Sequence, residues 1–333
     1  MIFSDFREKT MSAFVGIDTA KNSFDIATPL DNGKFRTKAK LANNESGFRE
    51  VEAWLEKHAD PQAWVAMEAT GTYHEALADF LYAKGYRVCI VNPAVIHAFG
   101  KEDLRRVKTD KADAKLIAAY AQQKQHKLRA WVPEPPARRR LRALVRRLED
   151  LQEILQMETN RLDVAQANVQ ASILSVINHV KSEIAATQKA IKDNIDDDPD
   201  LRQKRDLIVS IDGLGETSAA LILAELGDPL DYSGPRAIVA FAGLNPLIDQ
   251  SGNYVGPTPI SKTGSASLRT GMYMPAMVAM RWNPAVRALS DRLKAKGKAP
   301  KQIICAAMRK LLHLVYGVLK SGIPFDPNIA LAR

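Results

Sequence analysis

Short apolar runs, each closed by an acid or a turn residue, alternate with amphipathic stretches over the first 113 or so positions. Ala13-Phe14-Val15-Gly16-Ile17 ends on Asp18, Ser23–Ala27 follows, and a third run starts after the turn Asp31-Asn32-Gly33. Apolar runs of this length, bounded by turn formers, predict buried strands. Asn44 is placed to cap a helix reaching about Lys57. Strand Trp64–Glu68, a helix from Thr72 to Lys84 closed by Gly85, and strand Tyr86–Val91 stopped by Asn92-Pro93 come next. A further helical stretch opens at Asp110. The order βββ-α-β-α-β-α predicts a mixed sheet with helices on its faces.

The pattern then changes. Trp131-Val132-Pro133-Glu134-Pro135-Pro136 reads as a linker. Residues 137 to 195 contain no Gly or Pro, and Leu141, Leu144, Leu148, Leu151 and Leu155 recur at spacings of three and four. That spacing predicts a long helix or helical hairpin packed on a partner helix. Asp196-Asp197-Asp198-Pro199 breaks it, and Ile211-Asp212-Gly213-Leu214-Gly215 resembles the turn of a helix-hairpin-helix element. A loop-rich stretch from Gly243 to Gly264 and an amphipathic helix from Pro300 to Lys320 complete the chain. Three regions are expected: an α/β domain over 1–130 with ribonuclease-H-like topology, a linker and coiled-coil helices over 131–200, and a mainly helical domain over 201–333.

A length of 333 residues, 46% hydrophobic and 26% charged, suits a globular chain with more than one core. The net charge of +9 favours a polyanionic partner. Cys89 and Cys305 lie in apolar runs without metal-ligand spacing and read as core residues of a reducing compartment. No uninterrupted apolar run of membrane-spanning length and no signal-peptide core is evident, so a cytoplasmic protein is expected.

Candidate chemistry begins with four carboxylates. Asp18 and Glu68 end strands and are carried to a sheet rim, while Asp110 and Asp113 share one face of a helix. Each alone suits a turn, a cap or a first-turn charge. Together they would repel one another unless a cation neutralised them. A hard, oxygen-liganded Mg²⁺ is the natural occupant, and two such ions form a clamp for phosphodiester transfer.

Basic residues supply the partner. Arg138, Arg139, Arg140, Arg142, Arg146 and Arg147 fall within ten positions that hold no acid, which points to nucleic acid. Lys101, Arg105, Arg106, Lys108 and Lys111 are placed to steer a phosphate backbone toward the acids. The basic segment Lys294 to Lys301 reads equally well as an ordinary exposed loop. Ser251, Ser261, Ser265 and Ser267 sit among Gly, Lys and Thr, and spacing does not choose a nucleophile among them. The six histidines form neither a triad nor a zinc-ligand pattern.

With these residues in view the chain resembles the insertion-sequence 110 transposases, DEDD recombinases with a RuvC-like N-terminal domain. The resemblance rests on Gly16-Ile17-Asp18-Thr19-Ala20-Lys21, Glu68-Ala69-Thr70-Gly71-Thr72-Tyr73, Lys108-Thr109-Asp110 with Asp113-Ala114, and Ile211–Gly215. Phe241–Pro246, Gln250-Ser251-Gly252, and Ser261–Gly264 with Leu268-Arg269 extend it through the C-terminal region. It implies an acidic tetrad of Asp18, Glu68, Asp110 and Asp113 holding Mg²⁺, as two ions, and Ser251 as a nucleophile forming a phosphoserine link. It further implies donor and target DNA as substrates, a guide (bridge) RNA, and a dimer or tetramer. The resemblance also marks Lys262 and Arg269 as nucleic-acid contacts. Water-activated junction cleavage, non-catalytic nucleic-acid binding and a sugar-kinase-like ATPase are the competing readings of the residues.

Overall fold

The computed structural model describes residues 12–69, 71–102, 110–248, 250–251, 254–256 and 258–328. Two compact units meet at Pro133/Glu134. In the first, β1 (Ser12–Thr19), β2 (Ser23–Pro29) and β3 (Phe35–Ala42) form an antiparallel meander. Helix α1 (Glu45–His58), β4 (Ala59–Glu68), α2 (Glu75–Ala83) and β5 (Arg87–Val91) follow, then α3 (Pro93–Glu102) and α4 (Asp110–Gln123). The strand order is β3-β2-β1-β4-β5, with β1, β4 and β5 parallel.

Alternation along the strands divides the core. Ala63, Val65 and Met67 of β4 join Val51 and Leu55 of α1 and Leu77 and Leu81 of α2. Ala66, with Trp64 packed alongside, joins Ile96 and Phe99 of α3 and Leu116 and Ile117 of α4. A period of two puts these sets on opposite sheet faces, so helices cover both.

The caps follow the sequence pattern. Asn44 accepts from the Gly47 N–H at 3.1 Å and opens α1. Helix α2 starts at Glu75 rather than Thr72, because Gly71 adopts φ +53 and the chain turns through Thr72–His74 first. Strand β4 begins at Ala59, earlier than the apolar run, because Ala59 pairs with Ser12 of β1.

The second unit opens with a helical hairpin, α5 (Pro136–Asp163) and α6 (Ala167–Asp197). Buried Asn194 near the end of α6 donates to the Ala137 carbonyl at 2.9 Å, which fixes the hairpin base. Asp198 then caps α7 (Pro199–Val209), accepting from the Leu201 N–H at 2.9 Å. Helices α8 (Glu216–Leu226) and α9 (Pro235–Phe241), a two-stranded ribbon of β6 (Gln250–Ser251) and β7 (Tyr254–Val255), and α10 (Ala266–Gly271) follow. Helices α11 (Tyr273–Trp282), α12 (Pro284–Ala295) and α13 (Pro300–Ser321) close the unit.

Leu141, Val145 and Leu148 of α5 share one core with Ile208, Leu223, Val286 and Leu312. The base of the hairpin therefore belongs to the helices that follow it. Among the described residues, α13 alone is long and apolar enough to cross a membrane, a property that spans of uninterrupted apolarity had not brought out. Arg309 and Lys310 interrupt it, and Ile303, Ala307, Leu311, Leu312 and Val315 are core residues of the unit. Gly322 ends it in the left-handed region at φ +67.

Candidate active site

Strand register places two acids of the first unit at one end of the sheet. Ile17 pairs with Met67, so Asp18 and Glu68, one residue further along parallel strands, emerge at the same end of the sheet. Gly16 and Asp18 share a face of β1, and Ala66 and Glu68 share a face of β4. Both are the α4 face, because Ala66 packs with Leu116 and Ile117, and Gly16 lies against α4 itself. A Cβ at Gly16 would fall 2.4 Å from the Ala114 carbonyl oxygen and 2.3 Å from the Ala118 nitrogen. Only glycine lets the helix sit that low. Ala114 and Ala118 are fully buried against Ala27, and the half-buried Asp113 directly precedes Ala114.

Sequence reasoning missed a fifth acid. Asp25 pairs directly across from Asp18 on β2, is buried, and accepts from the Lys40 N–H at 2.7 Å. That bond holds Lys40 in the left-handed region at φ +58, where the β2–β3 register shifts. The signal was present, since an acid in the middle of an apolar strand is out of place there. Like charges directly opposite one another on an antiparallel pair are destabilising, and the Lys40 N–H offsets part of that cost at Asp25.

The donor chemistry fits a hard divalent ion: carboxylates from two strand ends and a helix on one sheet face. Among the described residues, no three His, Cys, Asp or Glu side chains stand close enough to form a ready metal cage. The Asp110 and Lys111 side chains lie outside the described residues, as do Arg105, Arg106 and Lys108. Lys101 is exposed at the end of α3.

In the second unit Ser251 is exposed on the short ribbon, paired with Tyr254. Gly252 lies outside the described residues. The ribbon stands on a ladder in which Leu247 N–H donates to Pro259 (2.7 Å), Ser261 to Asn245 (2.7 Å) and Lys262 to Gly243 (3.0 Å). Gly243 at φ +67 and Gly264 at φ +127 make the bends, and a Cβ on Gly264 would meet the Phe241 oxygen at 1.9 Å. Arg269 clamps the base: its Nη1 donates to the Ala242 carbonyl at 3.0 Å and to the Lys262 carbonyl at 3.4 Å. Lys262 is exposed, with its backbone left-handed at φ +56.

Two of the other serines are engaged by carboxylates. Ser265 caps α10 and donates to Glu225 at 2.6 Å, and Ser267 donates to Glu149. Exposure therefore separates Ser251 from these two, a distinction that spacing did not carry.

The arginine run is partly neutralised from within. Arg142 pairs with Glu134 at 2.9 Å, just outside the acid-free window. Burial pushes the Asp228 carboxyl up, but the Leu230 N–H, Lys204 and Arg138 together hold it below its ordinary value. Arg140, Arg146 and Arg147 are exposed, and Arg139 is half-buried. Acids outside the ten-residue window, Glu134 and Asp228, thus offset part of the charge of this run, and an external anion is left to offset the rest.

The family model for the DEDD transposase of IS110, described as a transposase, matches residues 15–165, the segment holding Asp18, Glu68, Asp110 and Asp113. A second, described as the transposase IS116/IS110/IS902 family, matches residues 205–291, the segment holding Ser251. The chain is similar to the pilin gene-inverting protein of Moraxella bovis, with 33% identity over 320 residues covering 95% of this chain and 98% of that one. The chain belongs to the IS110 transposase family. The pilin gene-inverting protein of Moraxella lacunata is equally similar, and an IS110 protein of Streptomyces coelicolor is 23% identical over 54% of this chain and 42% of its own length. This IS110-family transposase is thus a DNA recombinase, of a DEDD group that typically depends on a divalent metal.

Proposed function

We propose that the chain cuts and rejoins DNA through a covalent Ser251 intermediate, with Asp18, Glu68, Asp110 and Asp113 as the ligands of Mg²⁺, two ions in number. The observation that carries this reading is the shared sheet face: Gly16 lets α4 settle beside the strand ends that bear Asp18 and Glu68. Bound there, the metal would stabilise charge developing on a phosphodiester. Ser251 Oγ bonds to phosphorus while the bond to one deoxyribose oxygen breaks, and that oxygen takes up a proton in place of the one Oγ loses, leaving a hydroxyl end. Attack by the hydroxyl end of another strand reverses the step and frees the serine. Bond energy is conserved, so no ATP is required.

Donor and target DNA are the substrates, and a bridge RNA selects them by base pairing, leaving the protein to read backbone and helical shape. The protein acts as a dimer or tetramer in the cytoplasm, its α5–α6 hairpin serving as a coiled coil and the 211–215 turn as a helix-hairpin-helix contact. Two near-full-length relatives are named for inverting a pilin gene, which favours inversion as a second outcome of the same cut-and-rejoin chemistry. The arrangement of the DNA sites then decides between transposition and inversion.

The test is a suicide donor substrate with RNA and Mg²⁺, scored for a protein–DNA adduct on a denaturing gel. An adduct in wild type that disappears in Ser251→Ala is expected. DNA cut by both proteins without an adduct would transfer the reaction to metal-activated water. Binding of element-derived RNA no tighter than scrambled RNA at physiological salt would remove the guide.

A further inference from the structure

The sequence from Arg281 to Lys301 holds seven Lys and Arg against a single acid, Asp291, a net of +6 in a chain whose total is +9. All seven are exposed, and Asp291 pairs with Lys294 at 3.3 Å. Beside them Trp282 is 65% exposed, with its indole open to solvent. The Arg281 guanidinium lies over its ring, 5.3 Å from the centroid.

This corner is held rigidly. Asn283, with 0% exposure, accepts from the Ala285 and Val286 N–H groups and so caps α12. Its amide also donates to the Asp212 carbonyl at 3.3 Å. Gly213 at φ +103 packs onto Ala279 of α11 so closely that a Cβ would lie 2.7 Å from the Ala279 Cβ. The turn before α8 therefore braces α11 from one side while α12 departs from the other.

We propose that the α11–α12 corner and the basic turn after α12 are a docking surface for single-stranded DNA, with an unpaired base stacking on Trp282 and phosphates on the surrounding cations. A stacking platform flanked by cations suits a splayed strand, whereas the bases of an intact duplex are already stacked. Strand exchange, the step on which this inference rests, separates strands from their partners and supplies such a ligand. Exposed Met274, Met277 and Val278 on the same helix would by themselves suit a protein partner. The concentrated charge beside them selects a polyanion instead.

The test uses the full chain and a labelled oligothymidylate of about 12 nucleotides. Binding is expected to quench Trp fluorescence in wild type and not in Trp282→Phe, and Trp282→Ala should bind roughly ten-fold more weakly. Replacing Arg287, Arg292 and Lys296 by Gln should lower the slope of log affinity against log salt by about 2. These side chains are exposed, so the variants should melt like wild type. Unchanged affinity in Trp282→Ala with an unchanged salt slope overturns the proposal. Equal competition by duplex DNA also overturns it, as does a Trp282-dependent preference for the matching RNA or a change of oligomeric mass in place of lost binding. The Ser251 adduct assay is run beside it. A wild-type adduct together with variants that bind like wild type removes only this surface and leaves the recombination reading standing.

Discussion

At Gly16 a missing methyl group sets the position of a helix. The Ala114 and Ala118 backbone occupies the space that a side chain would need, and both alanines are sealed against the sheet. Gly16→Ala must therefore lift α4 or bend β1, at a cost of about 1–3 kcal/mol for the overpacking. Because Asp113 adjoins Ala114, that shift should cost far more in activity than in stability. A few degrees lost in thermal melting with strand cleavage reduced roughly a hundred-fold is the expected pair of results. Cleavage at the wild-type rate would detach the acids from the chemistry. His313 on α13 makes a second residue-scale case. Burial lowers its pKa, and Arg309, Lys310 and Arg236 lower it further. The folded chain then binds the His313 proton less readily than the unfolded chain does. This contribution is intact above the unfolded value of about 6.5 and is lost as pH falls through it toward the lower folded value. Melting temperature should drop over that window, and His313→Gln should flatten the drop.

Among elements, the Gly243–Gly264 loop shows how irregular backbone is made firm. Its two sides are laddered by main-chain bonds, and Arg269 joins them from α10 through the Ala242 and Lys262 carbonyls. Arg269→Ala removes charge-assisted bonds worth about 1.5–3 kcal/mol each at most. It should loosen the ribbon that bears Ser251, read as faster hydrogen exchange at Leu247 and Ser261 and slower adduct formation. If exchange at both amides is unchanged, Arg269 is not the clamp. None of this was legible in the sequence, where Arg269 read as one more phosphate contact, because long-range side-chain to backbone bonds leave no periodic trace. The elements with local signals were legible. Asn44 and Gly322 mark their helix ends, and the Gly- and Pro-free stretch with its recurring leucines became α5 and α6. Asp18 and Glu68 at strand ends followed from apolar run length, whereas their common face needed the β1–β4 register. Asp25 and Trp282 were not legible as functional positions, because each breaks the apolar or polar pattern around it.

At the scale of the whole molecule, the described hydrophobic residues form separate cores on either side of Pro133/Glu134. The first unit is closed at the linker by its own contacts: the Trp131 N–H donates to the Val88 carbonyl at 2.8 Å, and its ring meets Tyr82 edge-on. The second opens at once into Leu141 and Val145 of a core that runs through to Val318 of α13. A domain needs its own core to fold alone, and residues 134–333 have one built from both ends of the segment. A fragment covering 134–333 should accordingly melt in one cooperative transition with strong helical dichroism, and its helices from α7 onward should depend on α5. Cutting instead at residue 200 removes Leu141, Val145, Leu148, Ile191 and Ile195 from that core. Each such buried side chain is worth about 2–5 kcal/mol on truncation, so the shorter fragment loses more than a domain's whole stability. Residues 201–333 should therefore lack a cooperative melt and bind hydrophobic dye. A cooperative transition in that shorter fragment would make the helical hairpin an independent module, and the same circular-dichroism series on the two fragments decides it.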